Sequence, residues 1–309
     1  MALAGDLPTG LTPQQLRVVY TEERMKLQPP RPPIARVREI DIPGRGGPIP
    51  ARVYLPQDDG AVRPLLVYFH GGGWVVGSLE GYETSCRRLA LQADCTVVSV
   101  GYRLAPEHPF PAAVHDAWDA TAWCCANAAQ LGVDPRRVIV AGDSAGGSLA
   151  AVVAQQARDE GGPAIALQVL IYPATDMTRE SDSYVRNAQG YMLTAAALRW
   201  FYDHYVPDVA QRADWRASPL LRPSLEGVAP ALIISAEHDP LVDENEAYAQ
   251  RLAAAGVTTE YVCFPGMIHP FFTLGGVVGD AAKAEALIAR AVGRLGLPRG
   301  DAVHAAPDG

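Results

Sequence analysis

Hydrophobic positions along the chain follow two spacings, one typical of strands and one typical of helices. Short continuous runs of apolar and β-branched residues, such as the run at 65–69, predict strands that are covered on both faces. Strands are predicted at 37–42, 51–55, 65–69, 96–100, 137–141, 166–171, 231–235 and 260–264. Helical spacing predicts helices at 11–26, 84–92, 112–130, 145–160, 244–255 and 281–295. This alternation predicts an α/β fold, in which helices flank a mostly parallel, eight-stranded sheet.

Residues 175–227 interrupt this alternation. The segment contains one helical pattern near 194–205 but no convincing strand. A long insertion between sheet elements commonly forms a lid or a substrate-binding cap. The alternative is surface decoration, which its aromatic residues argue against: Tyr191, Trp200, Phe201, Tyr202 and Tyr205. We therefore expect a helical cap over the core.

Composition excludes several classes of function. The 309 residues carry a formal net charge of −8 and contain no Lys/Arg block, which argues against a nucleic-acid partner. No apolar run is long enough to span a bilayer, and the first residues lack the features of a secretory signal. Five cysteines, without a CxxC pair, favour a reduced, cytoplasmic protein over a disulfide framework. No HExxH or CxxC motif supports a metal site.

The strongest chemical signal is the Gly-Asp-Ser-Ala-Gly-Gly sequence at 142–147. It directly follows a predicted strand and opens a predicted helix, which is the context that a G-x-S-x-G nucleophile elbow requires. The turn around the serine is sharp, so the residues two positions before and after it, Gly142 and Gly146, must be small. Ser144 is therefore predicted as a nucleophile, and the alternative is a glycine-rich turn with an idle serine.

A second signal is the His-Gly-Gly-Gly-Trp sequence at 70–74, which directly follows the predicted strand 65–69. Consecutive glycines allow backbone N–H groups to converge on one point, as an oxyanion hole requires. The expected donors are the amides of Gly72, Gly73 and Ala145. His70 is expected to anchor this loop by hydrogen bonds. A phosphate-binding loop is excluded, because no P-loop lysine follows and no G-x-G-x-x-G follows a strand.

An activated serine needs a general base and a carboxylate that orients it. In α/β hydrolases the chain order is Ser, then Asp or Glu, then His. Asp239 and His269 each follow a predicted strand, at the sheet edge where ligands bind. The rival acids are Glu237 and Asp243, of which Asp243 also suits a helix cap. The other histidines after Ser144 are less suitable, being in the insertion, beside Asp239 or near the C-terminus: His204, His238 and His304.

These motifs, with those at 102–108 and 239–244, resemble bacterial carboxylesterases of the hormone-sensitive-lipase-like family over nearly the whole chain. The resemblance implies an α/β-hydrolase core, a triad of Ser144, Asp239 and His269, and no metal or cofactor. It also implies a two-part cap, so that the chain divides into an N-terminal cap segment (1–45), a core (46–174 and 228–298), a cap insertion (175–227) and a tail (299–309). Dimers occur in this family, so a homodimer is a candidate assembly. One departure is Pro270, where the family usually has glycine; proline restricts the residue before it.

The sequence thus predicts a serine esterase for short- to medium-chain acyl esters, which acts through an acyl-enzyme. A small cap without a free apolar lid helix argues against long-chain triglyceride. Residues expected to wall the substrate site are Trp74, Tyr172, Tyr191, Leu193, Phe201, Leu241 and Phe271. The alternatives are a catalytically inactive hydrolase fold that serves as a ligand receptor, and an amidase, peptidase or lactonase on the same scaffold.

Overall fold

A single eight-stranded sheet organises the chain. The computed structural model describes residues 10–296, so the predicted tail, His304 and residues 1–9 lie outside the described part. The strand order is β1-β2-β4-β3-β5-β6-β7-β8. Only β2 runs against its neighbours, and all other pairings from β4 to β8 are parallel. The strands are β1 (Arg36–Gly44), β2 (Gly47–Leu55), β3 (Arg63–Phe69), β4 (Thr96–Val100), β5 (Val133–Asp143), β6 (Ile165–Ile171), β7 (Ala231–His238) and β8 (Thr259–Ile268). The predicted fold class is confirmed.

Helices fill the predicted positions with one correction. They are α1 (Pro13–Lys26), α2 (Glu83–Ala93), α3 (Ala112–Ala126), α4 (Ala128–Leu131), α5 (Ala145–Asp159), α6 (Asp182–Arg186), α7 (Ala195–Tyr205), α8 (Val242–Ala254) and α9 (Asp280–Gly293). The single helix predicted at 112–130 is wrong, because the chain breaks at Asn127 (φ −109°, ψ 25°). The Asn127 side chain donates to the carbonyl of Trp123 at 2.9 Å, and such local bonds compete with helical geometry.

The central strands are covered on both faces, as their continuous apolar runs predict. All residues of β3 and β4 are buried. Alternate residues of β3 supply the two cores: Leu65, Val67 and Phe69 belong to one cluster, and Leu66 and Tyr68 belong to the other. The sheet is therefore a rigid layer between helices, and its carboxyl edge can hold side chains in fixed positions.

The last strand, β8, is longer than predicted because it continues through Pro265 to Ile268. A proline lacks the N–H that a central strand must donate, but β8 pairs only with β7 and forms an edge of the sheet. The longer strand ends directly before His269.

Helix α1 begins with a capping box. The N–H of Gln15 donates to Thr12 Oγ1, and the Gln15 side chain accepts from the N–H of Thr12 at 2.9 Å. Arg17 then attaches the helix to the core, because its guanidinium donates to the carbonyls of Val75 and Ala105, both at 2.8 Å. Within residues 10–296, no helix is long and apolar enough to cross a membrane.

Candidate active site

Three side chains meet at the carboxyl edge of the sheet. Ser144 is the first residue after β5, Asp239 is the first after β7, and His269 is the first after β8. The Oγ of Ser144 lies 3.0 Å from Nε2 of His269, and Nδ1 of the same ring lies 2.7 Å from Oδ2 of Asp239. Asp239 is fully buried and His269 is 5% exposed. A carboxylate only accepts, so Nδ1 carries the proton and Nε2 is left as the acceptor for the serine hydroxyl.

The turn at Ser144 has the geometry of a strained elbow. Ser144 has φ 55° and ψ −120°, a region that non-glycine residues rarely adopt. Flanking backbones approach closely: a Cβ on Gly142 would lie 2.4 Å from the carbonyl of Gly146, and one on Gly146 would lie 2.0 Å from the carbonyl oxygen of Phe69. The two glycines are therefore required by the packing of the elbow against β3.

The glycine-rich loop after β3 turns backbone amides toward the same place. Gly72 has φ 122° and Gly73 has φ 59°, which favour glycine. The carbonyl of Gly72 accepts from the amides of Val75 and Val76 at 3.1 and 2.9 Å, which closes the loop. Among the described residues, the amides of Gly72, Gly73 and Ala145 donate to no protein acceptor. These three amides are thus free to bind an oxyanion.

His70 lies beneath this loop rather than beside the serine. Its Nδ1 donates to the carbonyl of Gly71 at 2.8 Å, and its ring stacks on Tyr102 with centroids 4.3 Å apart. Tyr102 Oη donates in turn to the backbone carbonyl of His70 at 2.6 Å. Burial lowers the pKa of His70 from 6.5 to about 4, so the ring stays neutral at physiological pH.

Sequence reasoning missed the role of Asp143. Its buried carboxylate accepts from Tyr68 Oη at 2.8 Å, from Tyr82 Oη at 2.9 Å and from the amide of Gly71 at 2.9 Å. Asp143 therefore joins the glycine-rich loop after β3 to the elbow around Ser144. The available signal was an aspartate that directly follows the apolar stretch 138–142 of β5, one position before the serine, because such a buried charge needs partners.

Residues of α6 and the turn after it hold the loop that carries Asp239. Oδ1 of Asp239 accepts from the amide of Leu241 at 2.9 Å. Asn187 donates to the backbone carbonyl of Asp239 at 3.0 Å, and Ser183 Oγ donates to the carbonyl of Pro240 at 2.5 Å. Sequence analysis did not predict α6, because five residues are too few to show a helical period.

The rival acids make other contacts. Glu237 accepts from the amide of Gly266 at 2.7 Å, and its side chain is 54% exposed. Asp243 accepts from the amide of Ser183 at 2.7 Å and pairs with Arg186 at 2.8 Å. Neither forms a hydrogen bond with His269 in the part of the chain that the structure describes.

The rival histidines lie elsewhere. The ring of His238 stacks on Tyr191, with centroids 4.9 Å apart. His204 Nδ1 donates to the carbonyl of Trp200 at 2.8 Å. Within residues 10–296, no cluster of three or more His, Cys, Asp and Glu side chains is arranged to hold a metal ion.

Ser144 and His269 open into a cleft at the carboxyl edge of the sheet. One wall comes from α1 and another from α7, and most lining residues are apolar. Lining residues from these two helices are Leu16, Tyr20, Arg24, Ala197, Leu198, Phe201 and Tyr202. Pro270, where the family usually has glycine, also lines the cleft.

The residues predicted to wall the substrate site divide into two groups. Trp74, Leu193 and Phe201 line the cleft. The other four do not line it. Tyr191 stacks on His238, and Leu241 is fully buried. Tyr172 packs against the imidazole of His269 with ring centroids 4.4 Å apart, and Phe271 packs against Tyr172.

The chain is similar to known ester hydrolases. A family model described as an alpha/beta hydrolase fold matches residues 66–273. Carboxylic ester hydrolase LipN of Mycobacterium tuberculosis is 48% identical over 82% of this chain and 69% of its own length. Ethyl acetate hydrolase of Pseudomonas putida is 44% identical over 83% of this chain and 82% of its own. The solved esterase of Pyrobaculum calidifontis is 43% identical and superposes with a TM-score of 0.88 over 93% of this chain and 94% of that chain.

Proposed function

The chain belongs to the hormone-sensitive-lipase-like carboxylesterases of the α/β-hydrolase fold, and we propose that it cleaves short- to medium-chain acyl esters through an acyl-enzyme on Ser144. The observation that carries this proposal is the continuous hydrogen-bond chain from Ser144 through His269 to Asp239, at 3.0 and 2.7 Å. A serine, an imidazole and a buried carboxylate in that order are the working parts of acyl transfer.

In the proposed reaction, Ser144 Oγ attacks the ester carbonyl while His269 Nε2 takes the hydroxyl proton. Asp239 stabilises the imidazolium that forms, and the amides of Gly72, Gly73 and Ala145 bind the oxyanion. His269 then gives the proton to the leaving alcohol, and the ester bond breaks. Water attacks the acyl-enzyme by the same route in reverse, which releases the acid and restores the Ser144 hydroxyl.

The cover of the cleft supports short to medium acyl chains. Helices α1 and α7 wall it with mainly apolar side chains, and no separate apolar lid helix is present among the described residues. We propose that α1 and residues 175–227 form the two parts of a cap. One relative is named for its action on ethyl acetate, a small ester, which favours the same size class here.

The test is a panel of p-nitrophenyl esters of rising acyl length, run on the wild type and on Ser144→Ala. We expect turnover of dissolved butanoate and hexanoate esters, faster than turnover of long-chain emulsions. Removal of the nucleophile is expected to reduce kcat by about 10⁴-fold or more. Organophosphate labelling is expected to modify Ser144; a label on any other residue contradicts the proposed mechanism.

The amidase and lactonase alternatives use the same nucleophile, so matched substrates must separate them. An ester and an amide of the same acid are compared. We expect the ester to be cleaved at least about 10³-fold faster than the amide, because amide cleavage also requires efficient protonation of a poor leaving group. Comparable rates on the two would favour an amidase.

A further inference from the structure

Arg24 lies in the wall of the cleft, and two nitrogens of its guanidinium have no hydrogen-bond acceptor among the described residues. Arg24 lies on α1, is 3% exposed and lines the same cleft as Ser144 and His269. Its Nη1 donates to Tyr20 Oη at 2.6 Å, and the guanidinium carbon lies 4.3 Å from the centroid of the Tyr82 ring. Its Nε and Nη2 have no hydrogen-bond partner among the described residues, and both are buried.

The neighbouring carboxylate balances the charge of Arg24 without using these donors. Asp143 Oδ2 lies 3.6 Å from Nη2 of Arg24, which is an ion-pair distance but too long for a hydrogen bond. Asp143 already accepts three hydrogen bonds, from Tyr68, Tyr82 and the amide of Gly71. The pair is therefore close to neutral overall, and the unused capacity is donor capacity on Arg24.

Buried N–H groups without an acceptor cost free energy, and hydrogen bonds to a charged donor are stronger than those to a neutral one. The rest of the cleft offers mainly apolar contacts, from residues such as Leu27, Val76 and Leu274. A purely hydrocarbon substrate would leave Nε and Nη2 unpaired. An oxygen acceptor on the substrate would satisfy them without adding a net charge beside Asp143.

We propose that Arg24 selects esters that carry a neutral oxygen acceptor, such as an ether or ketone, in addition to the ester group that is cleaved. This proposal rests on the proposed function, because it concerns the substrate of the same cleft. Arg24 is then a binding residue, whose guanidinium donates to that oxygen while Ser144 attacks the ester carbonyl. The preferred substrates would be alkoxy- or oxo-substituted esters rather than simple fatty acyl esters.

The experiment compares isosteric substrate pairs. In the acyl group, p-nitrophenyl methoxyacetate is matched with p-nitrophenyl butanoate, and p-nitrophenyl levulinate is matched with p-nitrophenyl 4-methylpentanoate. In the alcohol group, methoxyethyl butanoate is matched with butyl butanoate. For each pair, the ratio of kcat/KM for the oxygenated ester to that for the plain ester is measured. Differences in intrinsic reactivity cancel when this ratio is compared between enzyme variants.

The variants are Arg24→Met and the control Arg17→Met. Arg17 also anchors α1, through the carbonyls of Val75 and Ala105, but it does not line the cleft. We expect Arg24→Met to lower the ratio about tenfold or more for at least one pair, since a hydrogen bond to a charged group is lost. Arg17→Met is expected to change both members of each pair equally.

The outcomes are separable. If Arg24→Met lowers kcat/KM equally for both members of each pair, or not at all, the ratios stay unchanged. Arg24 then has a structural role or binds water, and the inference is wrong. If Arg24→Met does not fold, Arg24→Lys keeps the positive charge beside Asp143 but loses Nε and the planar fork, and must lower the ratio. If the wild type does not hydrolyse plain butanoate, or Ser144→Ala does, the proposed function itself fails.

Discussion

The two halves of the candidate site are held in place by different means. On the nucleophile side, backbone packs on backbone. The elbow around Ser144 lies against β3, and the space between Gly146 and the carbonyl of Phe69 is too small for a Cβ. On the acid–base side, the loop with Asp239 is held by side chains, chiefly Asn187 and Ser183 from the insertion between β6 and β7. The nucleophile is therefore part of the core, whereas the loop with the acid is hydrogen-bonded to the segment that we propose covers the substrate.

The largest expected effect is on the acid–base side. Asp239→Asn keeps the shape of the side chain but replaces the acceptor facing Nδ1 of His269 with a group that can present a donor. The imidazole then favours the tautomer with a proton on Nε2, which cannot accept the proton of Ser144. We expect kcat to fall by about 10⁴-fold, measured by steady-state hydrolysis of p-nitrophenyl butanoate. An unaltered Tm with a fall of less than tenfold would mean that another carboxylate orients His269.

The next largest effect is a loss of stability when the elbow around Ser144 is forced away from β3. Gly146→Ala places a Cβ 2.0 Å from the carbonyl oxygen of Phe69, and two backbone segments must separate to accommodate it. We expect a loss of at least about 3 kcal/mol in the free energy of unfolding, measured by urea denaturation. The matched control is Gly147→Ala, one position later in α5. There the new Cβ comes no closer than 3.1 Å to the carbonyl of Gly142 or to Pro173.

A smaller effect comes from the buried imidazole of His70, which packs under the glycine-rich loop. His70 has a pKa of about 4 when folded and 6.5 when exposed, so between these values the unfolded chain binds a proton that the folded chain does not. Stability from this group is complete above pH 6.5 and falls as the pH is lowered toward 4, by about 3 kcal/mol. His70→Gln removes the titration, so its denaturation free energy should vary less with pH than that of the wild type. Parallel curves for the two proteins would contradict the assignment.

The same contrast explains what the sequence could and could not predict. The strands were predictable because apolar runs are local signals, and Ser144 was predictable from the glycine spacing around it. The ends of β7 and β8 were not, because both strands continue three or four residues beyond their predicted ends, up to Asp239 and His269. The bracing by Asn187 was not predictable, because it joins residues 52 positions apart through a short helix with no periodic signal. Tyr191 and Leu241 are similar cases. The sequence does not show that Tyr191, in the insertion, stacks on His238, or that Leu241, two positions after Asp239, is buried and does not line the cleft.

The smallest expected effect tests whether the insertion positions the acid. Asn187 is 3% exposed and donates to the backbone carbonyl of Asp239, which also accepts from the amide of Val242 at 3.2 Å. Asn187→Ala therefore removes one of two hydrogen bonds to this carbonyl and costs about 0.5–1.5 kcal/mol. If the bond also positions Asp239, kcat per folded enzyme falls about tenfold with little change in KM. The control is Arg186→Ala, which removes a more exposed ion pair with Asp243 in the first turn of α8, and should change kcat by less than about threefold. Active enzyme is counted by organophosphate titration, so that loss of folded protein is separated from loss of turnover. A normal kcat per titrated site in Asn187→Ala would mean that this hydrogen bond does not position the acid, and the contrast between the two halves of the site would then not extend to catalysis.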